Sequence, residues 1–442
     1  MTNVLQRVPE PLAQRAQASV SAPGFVERSL AVFVVLYVTV GFPPEWFNPP
    51  VDGVTSESSL VAVAYIAVAS PLLFFLIGNL HVAWSVLSRT RWLLALHALM
   101  LGSALWSADP ALTIRRSVGL ILTLAIAVHF VTRFSQRDIV QTFATALVLG
   151  VMVNLAFLAA FPTLSQTLEP RSGEMVITGV FPNKNGFGQM AFLAVFVCAV
   201  ATRVDRRRRT IWFGAILLAG GLLLQSESRT ALATAVAGVI VLMLYQVFRA
   251  RQTLFGAVLL AGSGGLVGAT VFVISNLEFV TEAADRDASL SGRVPLWETM
   301  IEQIPERPFL GTGWSGFWNG WFSPAHPVWI EHRWEPPGGH NQFLDFFLQL
   351  GVVGGIVGLL LFGRAIWRGV FVAQFVRGIY GLWPLGVVTI AAIYSITETL
   401  VSRGVFWLVT MIAFLVIDQE RREVDERAKT LRTRLNLGRK AV

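Results

Sequence analysis

The chain has 442 residues, of which 54% are hydrophobic and 14% are charged, and its mean hydropathy is +0.61. This composition excludes an ordinary soluble domain and is typical of a polytopic membrane protein. The formal net charge of +8 is carried largely by connectors between apolar runs, so it does not point to nucleic acid. The single cysteine, Cys198, lies inside an apolar run and leaves no disulfide framework and no cysteine-based metal site.

Twelve apolar runs along the chain are long enough to be considered as membrane spans. They cover residues 29–42, 60–78, 92–106, 117–132, 139–161, 186–202, 210–225, 230–247, 254–275, 343–363, 378–394 and 404–417. The first, third and seventh runs are short, which fits tilted or partly interfacial helices. The sequence therefore predicts an all-α polytopic membrane protein with about 12 transmembrane helices.

The spacing of these runs divides the chain into five segments. They are a cytoplasmic N-terminal segment 1–28, spans 1–9 within 29–275, a periplasmic loop 276–342 with short amphipathic helices, spans 10–12 within 343–417, and a basic cytoplasmic tail 418–442. The orientation follows from the distribution of lysine and arginine, which accumulate on the cytoplasmic side. With the N-terminus inside, most of the 35 basic residues fall on that side, including the run Arg206–Arg209. Both termini are therefore predicted to be cytoplasmic.

Basic residues on the predicted outer side oppose this trend and need a reason. Five of them stand at the starts of spans: Arg115, Arg116, Lys184, Arg229 and Arg403. A helix N-terminus already favours anions, and a guanidinium fits phosphate oxygens well. As a group these residues favour an anionic, membrane-embedded ligand such as a lipid-linked pyrophosphate. The alternative for each one is that it snorkels to headgroups or pairs with a local acid such as Glu227 or Glu398.

The long loop holds six of the 14 tryptophans, which argues against disorder. A loop of this length is usually functional. A short amphipathic helix is predicted from Ser291 to Ile301, with Arg293 near its positive end, and a glycine-rich stretch follows. Trp314 and Trp318 are candidates for stacking on sugar rings, or they belong to an interfacial aromatic belt.

His340 stands out at the end of the loop, flanked by Gly338, Gly339 and Asn341. Histidine titrates near neutral pH and can accept a proton from a hydroxyl group, so it is a candidate general base. Asn341 is either the N-cap of span 10 or a substrate contact. The loop histidines lack the spacing of metal ligands, so no metal site and no cofactor are predicted.

Several motifs follow one another through the second half of the chain. They are Gly179-Val-Phe-Pro-Asn-Lys184-Asn185-Gly before span 6, Ser226-Glu-Ser-Arg229-Thr at span 8, Ser291-Gly-Arg293 with Trp297, Arg307-Pro-Phe-Leu-Gly311, and Gly339-His340-Asn341-Gln-Phe-Leu-Asp345. In this order, around the long loop, the chain resembles the O-antigen ligase/polymerase superfamily of bacterial inner-membrane proteins. In style it is closest to rhizobial exopolysaccharide polymerases, although Pro336-Pro-Gly-Gly stands where these often have an extra aromatic or histidine.

The resemblance implies a metal-independent, GT-C-like glycosyltransferase at the periplasmic face of the inner membrane. The donor would be a glycan on undecaprenyl pyrophosphate, and the anomeric carbon would be inverted. His340, Arg293 and Arg229 would be catalytic. The predicted substrate-binding residues are Arg115, Arg116, Lys184, Asn185, Asn341, Arg403, Trp314 and Trp318.

Several functions remain open from the sequence. The polymerase branch joins lipid-linked repeat units into exopolysaccharide or O-antigen, whereas the ligase branch moves a finished glycan onto lipid A-core. The expected partners are the lipid-linked donor, a glycan or lipid A-core acceptor, membrane lipid, a flippase and a chain-length regulator, with no nucleic acid. A lipid-linked sugar transporter and a structural scaffold are the competing classes, but transporters tend to place charges near the middle of the membrane.

Overall fold

The computed structural model describes residues 22–41, 59–169, 173–248, 293–332, 335–376, 378–402 and 404–440. The helices in these ranges are α1 Phe25–Val40, α2 Ser59–Ile77, α3 Leu80–Leu87, α4 Arg91–Gly102, α5 Pro110–Arg133, α6 Gln136–Ala160, α7 Lys184–Val204, α8 Arg209–Gln225, α9 Arg229–Phe248, α10 Arg293–Gln303, α11 His326–His332, α12 Gln342–Phe375, α13 Ile379–Thr397 and α14 Val405–Lys440. A two-stranded antiparallel hairpin, β1 Gln166–Leu168 and β2 Met175–Ile177, precedes α7.

The predicted apolar runs overlap these helices, except for the run 254–275, which lies outside the described residues. Within the described ranges, five helices are long and apolar enough to cross a membrane, namely α5, α6, α7, α12 and α13. The bent pair α2 and α3 adds a sixth if it forms one span. The fold is therefore consistent with an all-α membrane protein, while the total of twelve spans stays a prediction.

Polar caps begin the helices that matter for the site. Asp109 accepts the Leu112 N–H at 2.9 Å before α5, and Asn183 accepts the Gly186 N–H at 2.9 Å before α7. These side chains satisfy backbone donors that a helix leaves unpaired at its N-terminus. Because each capping residue is polar and the helix after it is apolar, the cap marks the residue at which the span begins.

The apolar first half of α14 forms the centre of the core. Residues 405–417 are all buried, and the helix packs against α5, α12 and α13. Trp407 packs against Phe414, and Phe406 packs against Tyr394 of α13 and Phe192 of α7. A helix that is apolar on all sides is either buried in a core or in contact with lipid, and these neighbours bury this one.

A break in α12 receives the glycine-rich segment of the loop. Gly351 has φ 65°, and the neighbouring Val352 donates its N–H to the Pro308 carbonyl at 2.7 Å. A Cβ on Gly351 would lie 2.2 Å from the carbonyl carbon of Phe309, and one on Gly311 would lie 2.4 Å from that of Gln349. Glycine is therefore required at both positions, because any side chain would collide with the facing backbone.

The described part of the loop builds a small hydrophobic core of its own above the bundle. Leu296, Trp297 and Met300 of α10 pack with Phe317, Trp318 and Val328. The α10 helix overlaps the amphipathic stretch predicted from Ser291 to Ile301 and extends two residues beyond it, to Gln303. This packing holds the loop as an ordered cap over the starts of the spans.

Candidate active site

Five parts of the chain meet at the end of the bundle that the loop covers. They are the starts of α7 and α9, the start of α10, the turn before α12 and the residue that follows α13. That last residue is Glu398, whose N–H is bonded to the Tyr394 carbonyl at the end of α13. Its side chain is 7% exposed and is the point to which the other four parts connect.

The Glu398 carboxylate contacts both His340 and Arg293. One oxygen, Oε2, lies 2.8 Å from His340 Nδ1. The other, Oε1, accepts a hydrogen bond from Arg293 Nη2. Arg293 also donates from Nη1 to the Thr230 hydroxyl at 2.8 Å. Since Thr230 is the neighbour of Arg229 at the start of α9, these contacts bring the three predicted catalytic residues to one locality.

A second chain of hydrogen bonds reaches Glu398 from α7 and α9. Asn185 donates its side-chain N–H to Glu398 Oε1 at 2.8 Å, and Ser228 donates its hydroxyl to Asn185 Oδ1 at 3.0 Å. Asn185 was predicted as a substrate-binding residue. The structure places it as a support of the carboxylate, because both polar ends of its side chain are bonded within the protein.

The His340 backbone has φ 47°, in the left-handed region that non-glycine residues seldom occupy. Its neighbour Gly339 is fixed on both sides. The Gly339 N–H lies 3.2 Å from Asp345 Oδ1, and the Gly339 carbonyl accepts the Trp297 indole N–H at 2.9 Å. Such a backbone persists only where its surroundings hold it, and these bonds do so.

Asp345 joins the two sides of the site. It is fully buried, and it accepts the Trp318 indole N–H at 2.8 Å and the Thr399 hydroxyl at 2.9 Å. Thr399 follows Glu398, while Gly339 precedes His340. A single carboxylate therefore positions the residues next to both members of the His340–Glu398 pair.

Asn341 and Gln342 anchor the start of α12. The Asn341 side chain accepts hydrogen bonds from the N–H groups of Phe343 and Leu344, each at 3.1 Å, so it is the N-cap of α12. This is the first of the two roles that the sequence leaves open for Asn341. Gln342 Oε1 accepts the N–H groups of Leu400 at 3.0 Å and Val401 at 2.7 Å. These bonds tie the segment after Glu398 to the helix after His340.

Four of the other five predicted basic residues lie among the described residues. Arg229 is exposed at the first position of α9, and Arg115 and Arg116 are partly buried in the second turn of α5. Lys184 donates from Nζ to Glu169 Oε2 at 2.6 Å, next to the β hairpin. Arg403, the fifth of this group, lies outside the described residues, so its role stays a prediction.

Trp314 and Trp318 are buried within the protein, at 5% and 6% exposure. Trp314 packs against Phe346, and Trp318 donates to Asp345 and packs against Phe317. The structure gives both residues a packing role, and stacking on sugars stays a prediction. Trp321, at 48% exposure, is more open than either of these two tryptophans.

Sequence reasoning missed the two carboxylates that organise the site. The sequence indicates Glu398 only as a local partner for arginines, and it indicates no role for Asp345, although Asp345 lies within the Gly339–Asp345 motif. One signal was present in each case. An ionisable residue at the boundary of an apolar run or inside it is expensive there and points to function.

The arrangement supports proton transfer next to a guanidinium group. With Nδ1 facing the carboxylate, the neutral histidine carries its proton there, and Nε2 is the basic nitrogen on the opposite side of the ring. The carboxylate also stabilises the imidazolium that forms when Nε2 takes a proton. A guanidinium has five donors, and the two side-chain bonds above engage two of those of Arg293.

Comparison with known proteins places the chain beside proteins of bacterial glycan synthesis. Residues 213–363 match the family described as O-antigen ligase, and this range contains Arg229, Arg293 and His340. The exopolysaccharide production protein ExoQ of Rhizobium meliloti (strain 1021) is 26% identical over 277 residues, which is 60% of this chain. The match covers 62% of the relative's length. Both findings confirm that the chain resembles the O-antigen ligase/polymerase superfamily.

Proposed function

We propose that the protein is a glycosyltransferase that joins undecaprenyl-pyrophosphate-linked oligosaccharide repeat units into a polymer at the periplasmic face of the inner membrane. The observation that carries this proposal is the buried Glu398 carboxylate, which holds the predicted base His340 and the predicted phosphate ligand Arg293 together. A base beside an anion-binding group is what transfer of a sugar from a pyrophosphate requires.

Arg293 and Arg229 bind the donor pyrophosphate in this proposal. Their guanidinium groups stabilise the charge that develops as the pyrophosphate leaves, and such preorganised electrostatics usually contributes most to a rate. The first turn of α9 adds backbone N–H groups that favour an anion. Arg115, Arg116, Lys184 and Arg403 are proposed to provide further positive charge, with the Lys184–Glu169 pair opening when the donor enters.

His340 activates the acceptor hydroxyl. Nε2 takes the hydroxyl proton, and the oxygen forms a bond to the anomeric carbon. The bond from that carbon to the pyrophosphate oxygen breaks, and the leaving pyrophosphate takes the electron pair. One displacement inverts the carbon. Glu398 stabilises the imidazolium until the proton is passed on, so it acts through His340 and is a positioning residue.

Similarity to ExoQ favours the polymerase branch over the ligase branch, and this similarity extends beyond residues 213–363, which match the family. The name of that relative assigns it to exopolysaccharide production. We therefore propose repeat units as acceptors, with a flippase and a chain-length regulator as partners. The ligase function, with lipid A-core as acceptor, is the second candidate, because the matched family is described as O-antigen ligase.

The test is reconstitution of the purified protein in liposomes with defined undecaprenyl-pyrophosphate-linked repeat units and no added metal. Wild type is compared with Arg293→Ala and His340→Ala. Matched controls are Arg307→Ala and His332→Ala, which remove the same side chains from the same loop. Arg307 is exposed, and the His332 ring lies 2.9 Å from the Thr299 hydroxyl, away from Glu398.

Longer lipid-linked glycans from wild type and both controls, but not from the two site variants, would support a polymerase with this site. Transfer that begins only when lipid A-core is supplied would move the protein to the ligase branch. Movement of the donor between leaflets without any transfer would make it a transporter. Full elongation by His340→Ala would remove the catalytic assignment.

A further inference from the structure

A second concave site lies at the opposite end of the bundle. Its cavity has a volume of about 960 Å³ and lies between the start of α4, the later part of α12 and α14. Arg364 in its wall follows the break in α12 at Gly351 by 13 residues of helix, and a helix rises about 1.5 Å per residue, so roughly 20 Å separates the cavity from the loop segment that docks at that break. The cavity is therefore independent of the proposed transfer site.

Positive charge dominates the walls of this cavity. Seven basic residues and three acids line it: Arg89, Arg91, Arg364, Arg368, Arg421, Arg422 and Lys429, with Asp418, Asp425 and Glu426. The three acids form ion pairs with Arg368, Arg421 and Arg422. Those pairs leave Arg89, Arg91, Arg364 and Lys429 as an excess of positive charge around one concave space.

Arg89 shows that this excess is not simply an exposed basic surface. Its Nε atom is buried and lacks a hydrogen-bond partner among the described residues, while Nη2 contacts the Ser85 hydroxyl at 3.3 Å. Burial, together with the nearby charge of Arg422, lowers the pKa of Arg89 in spite of Glu426 and Glu423. An anion in the cavity would offset both the cost of burying this charge and the repulsion from Arg422.

An apolar groove continues from the cavity along the outside of α12. It has a volume of about 520 Å³, and Leu360, Gly363 and Trp367 line it together with four residues of the cavity wall, Arg364, Arg368, Arg421 and Asp425. Trp367 is 69% exposed, and a Cβ placed on Gly363 would meet open space. A charged pocket that opens into an apolar groove matches a molecule with an anionic head and a hydrocarbon chain.

We propose that this site binds an anionic phospholipid, with the phosphate in the arginine-lined cavity and an acyl chain along Leu360, Gly363 and Trp367. Arginine suits the phosphate because its fork of donors matches the phosphate oxygens. Basic residues at the ends of spans are attracted to the headgroups of anionic lipids. The groove favours a lipid over a soluble phosphate, because a soluble anion has no hydrocarbon chain to contact the apolar side chains of the groove.

Binding is tested with the purified full chain in detergent micelles, by native mass spectrometry with added phosphatidylglycerol or, for comparison, zwitterionic phosphatidylcholine. Three variants are compared with wild type. Arg89→Gln/Arg364→Gln removes two cavity charges that form no ion pair within 4 Å among the described residues. Gly363→Leu fills the groove without changing charge. Arg206→Gln/Arg207→Gln removes two exposed charges from the loop between α7 and α8 and is the matched control.

The expected result is that wild type and the control bind phosphatidylglycerol in preference to phosphatidylcholine. We expect the cavity variant to bind phosphatidylglycerol about tenfold or more weakly, and Gly363→Leu to bind it several-fold more weakly. Equal weakening by the control would reduce the site to general surface charge and overturn the proposal. Displacement of the lipid by millimolar inorganic phosphate, with no effect of Gly363→Leu, would assign the cavity to a soluble anion instead.

Discussion

At the scale of single residues, one carboxylate organises the candidate site. Glu398 contacts His340, Arg293 and Asn185, which come from three separated parts of the chain. A buried carboxylate is expensive unless its oxygens are bonded, and these three partners satisfy them. The contacts that offset the cost of burying the Glu398 carboxylate are therefore the same contacts that hold His340 and Arg293 in the site.

Asp345 gives the first prediction. Replacing it with asparagine keeps only one of the two accepting oxygens, so either the Thr399 hydroxyl or the Trp318 and Gly339 N–H groups lose their acceptor. We expect a loss of about 1–3 kcal/mol in the free energy of unfolding. We also expect slower glycan transfer with little change in donor affinity, because His340 loses its fixed backbone.

Thermal unfolding in detergent and the rate and donor dependence of transfer measure these effects. The control is Glu302→Gln, which changes an exposed acid of the neighbouring α10 in the same way. A transfer rate at the wild-type level in Asp345→Asn would show that the turn before α12 does not depend on this carboxylate.

At the scale of elements, the sequence predicted the helices better than the site. Apolar runs locate helices because a span needs apolar side chains along its whole length and forms its backbone hydrogen bonds within itself. Both requirements concern residues that are close in sequence. The hydrogen bonds that converge on Glu398 join residues up to 213 positions apart, from Asn185 to Glu398, and no local pattern contains them. Motif resemblance identified His340, Arg293 and Arg229, but not the carboxylate between them.

The break in α12 gives the second prediction. Gly351→Ala would place a Cβ 2.2 Å from the Phe309 carbonyl carbon, at a positive φ that alanine disfavours. Because both atoms belong to backbone, the loop segment 307–316 must move away, at a cost of about 2 kcal/mol or more. We expect a lower unfolding temperature, faster proteolysis within the loop and reduced transfer.

Gly363→Ala is the matched control on the same helix, since its added Cβ meets open space. Alanine is favoured over glycine inside a helix by roughly 0.5–1 kcal/mol, so this variant should be as stable as wild type or slightly more so. Equal stability of the two variants would show that the docking of loop and helix at Gly351 contributes little.

At the scale of the whole molecule, charge is separated between the two ends of the bundle. The end with Glu398 carries a small, balanced cluster, whereas the end with Arg206–Arg208 and the α14 extension carries most of the basic residues. This separation is the basis of the predicted orientation, with the loop outside. The run 254–275 and the segment before residue 22 lie outside the described residues, so the topology there rests on the sequence.

The orientation is the third prediction. Glu331→Cys places a thiol on an exposed position of the loop, and Arg207→Cys places one at the opposite end. The native Cys198 is buried and should not react. In intact spheroplasts we expect a membrane-impermeant maleimide to label Cys at position 331 only, and to label position 207 only after lysis. The reverse pattern would invert the topology and move the proposed site to the cytoplasm.

The most direct test of the central claim is a double-mutant cycle on the transfer rate with His340→Ala, Glu398→Gln and the double variant in liposomes. If Glu398 acts through His340, each single change slows transfer by about 10²-fold or more, and the double variant is no slower than the slower single variant. Rates that multiply in the double variant would show two independent contributions. Wild-type transfer by either single variant would contradict the assignment of this cluster as the transfer site.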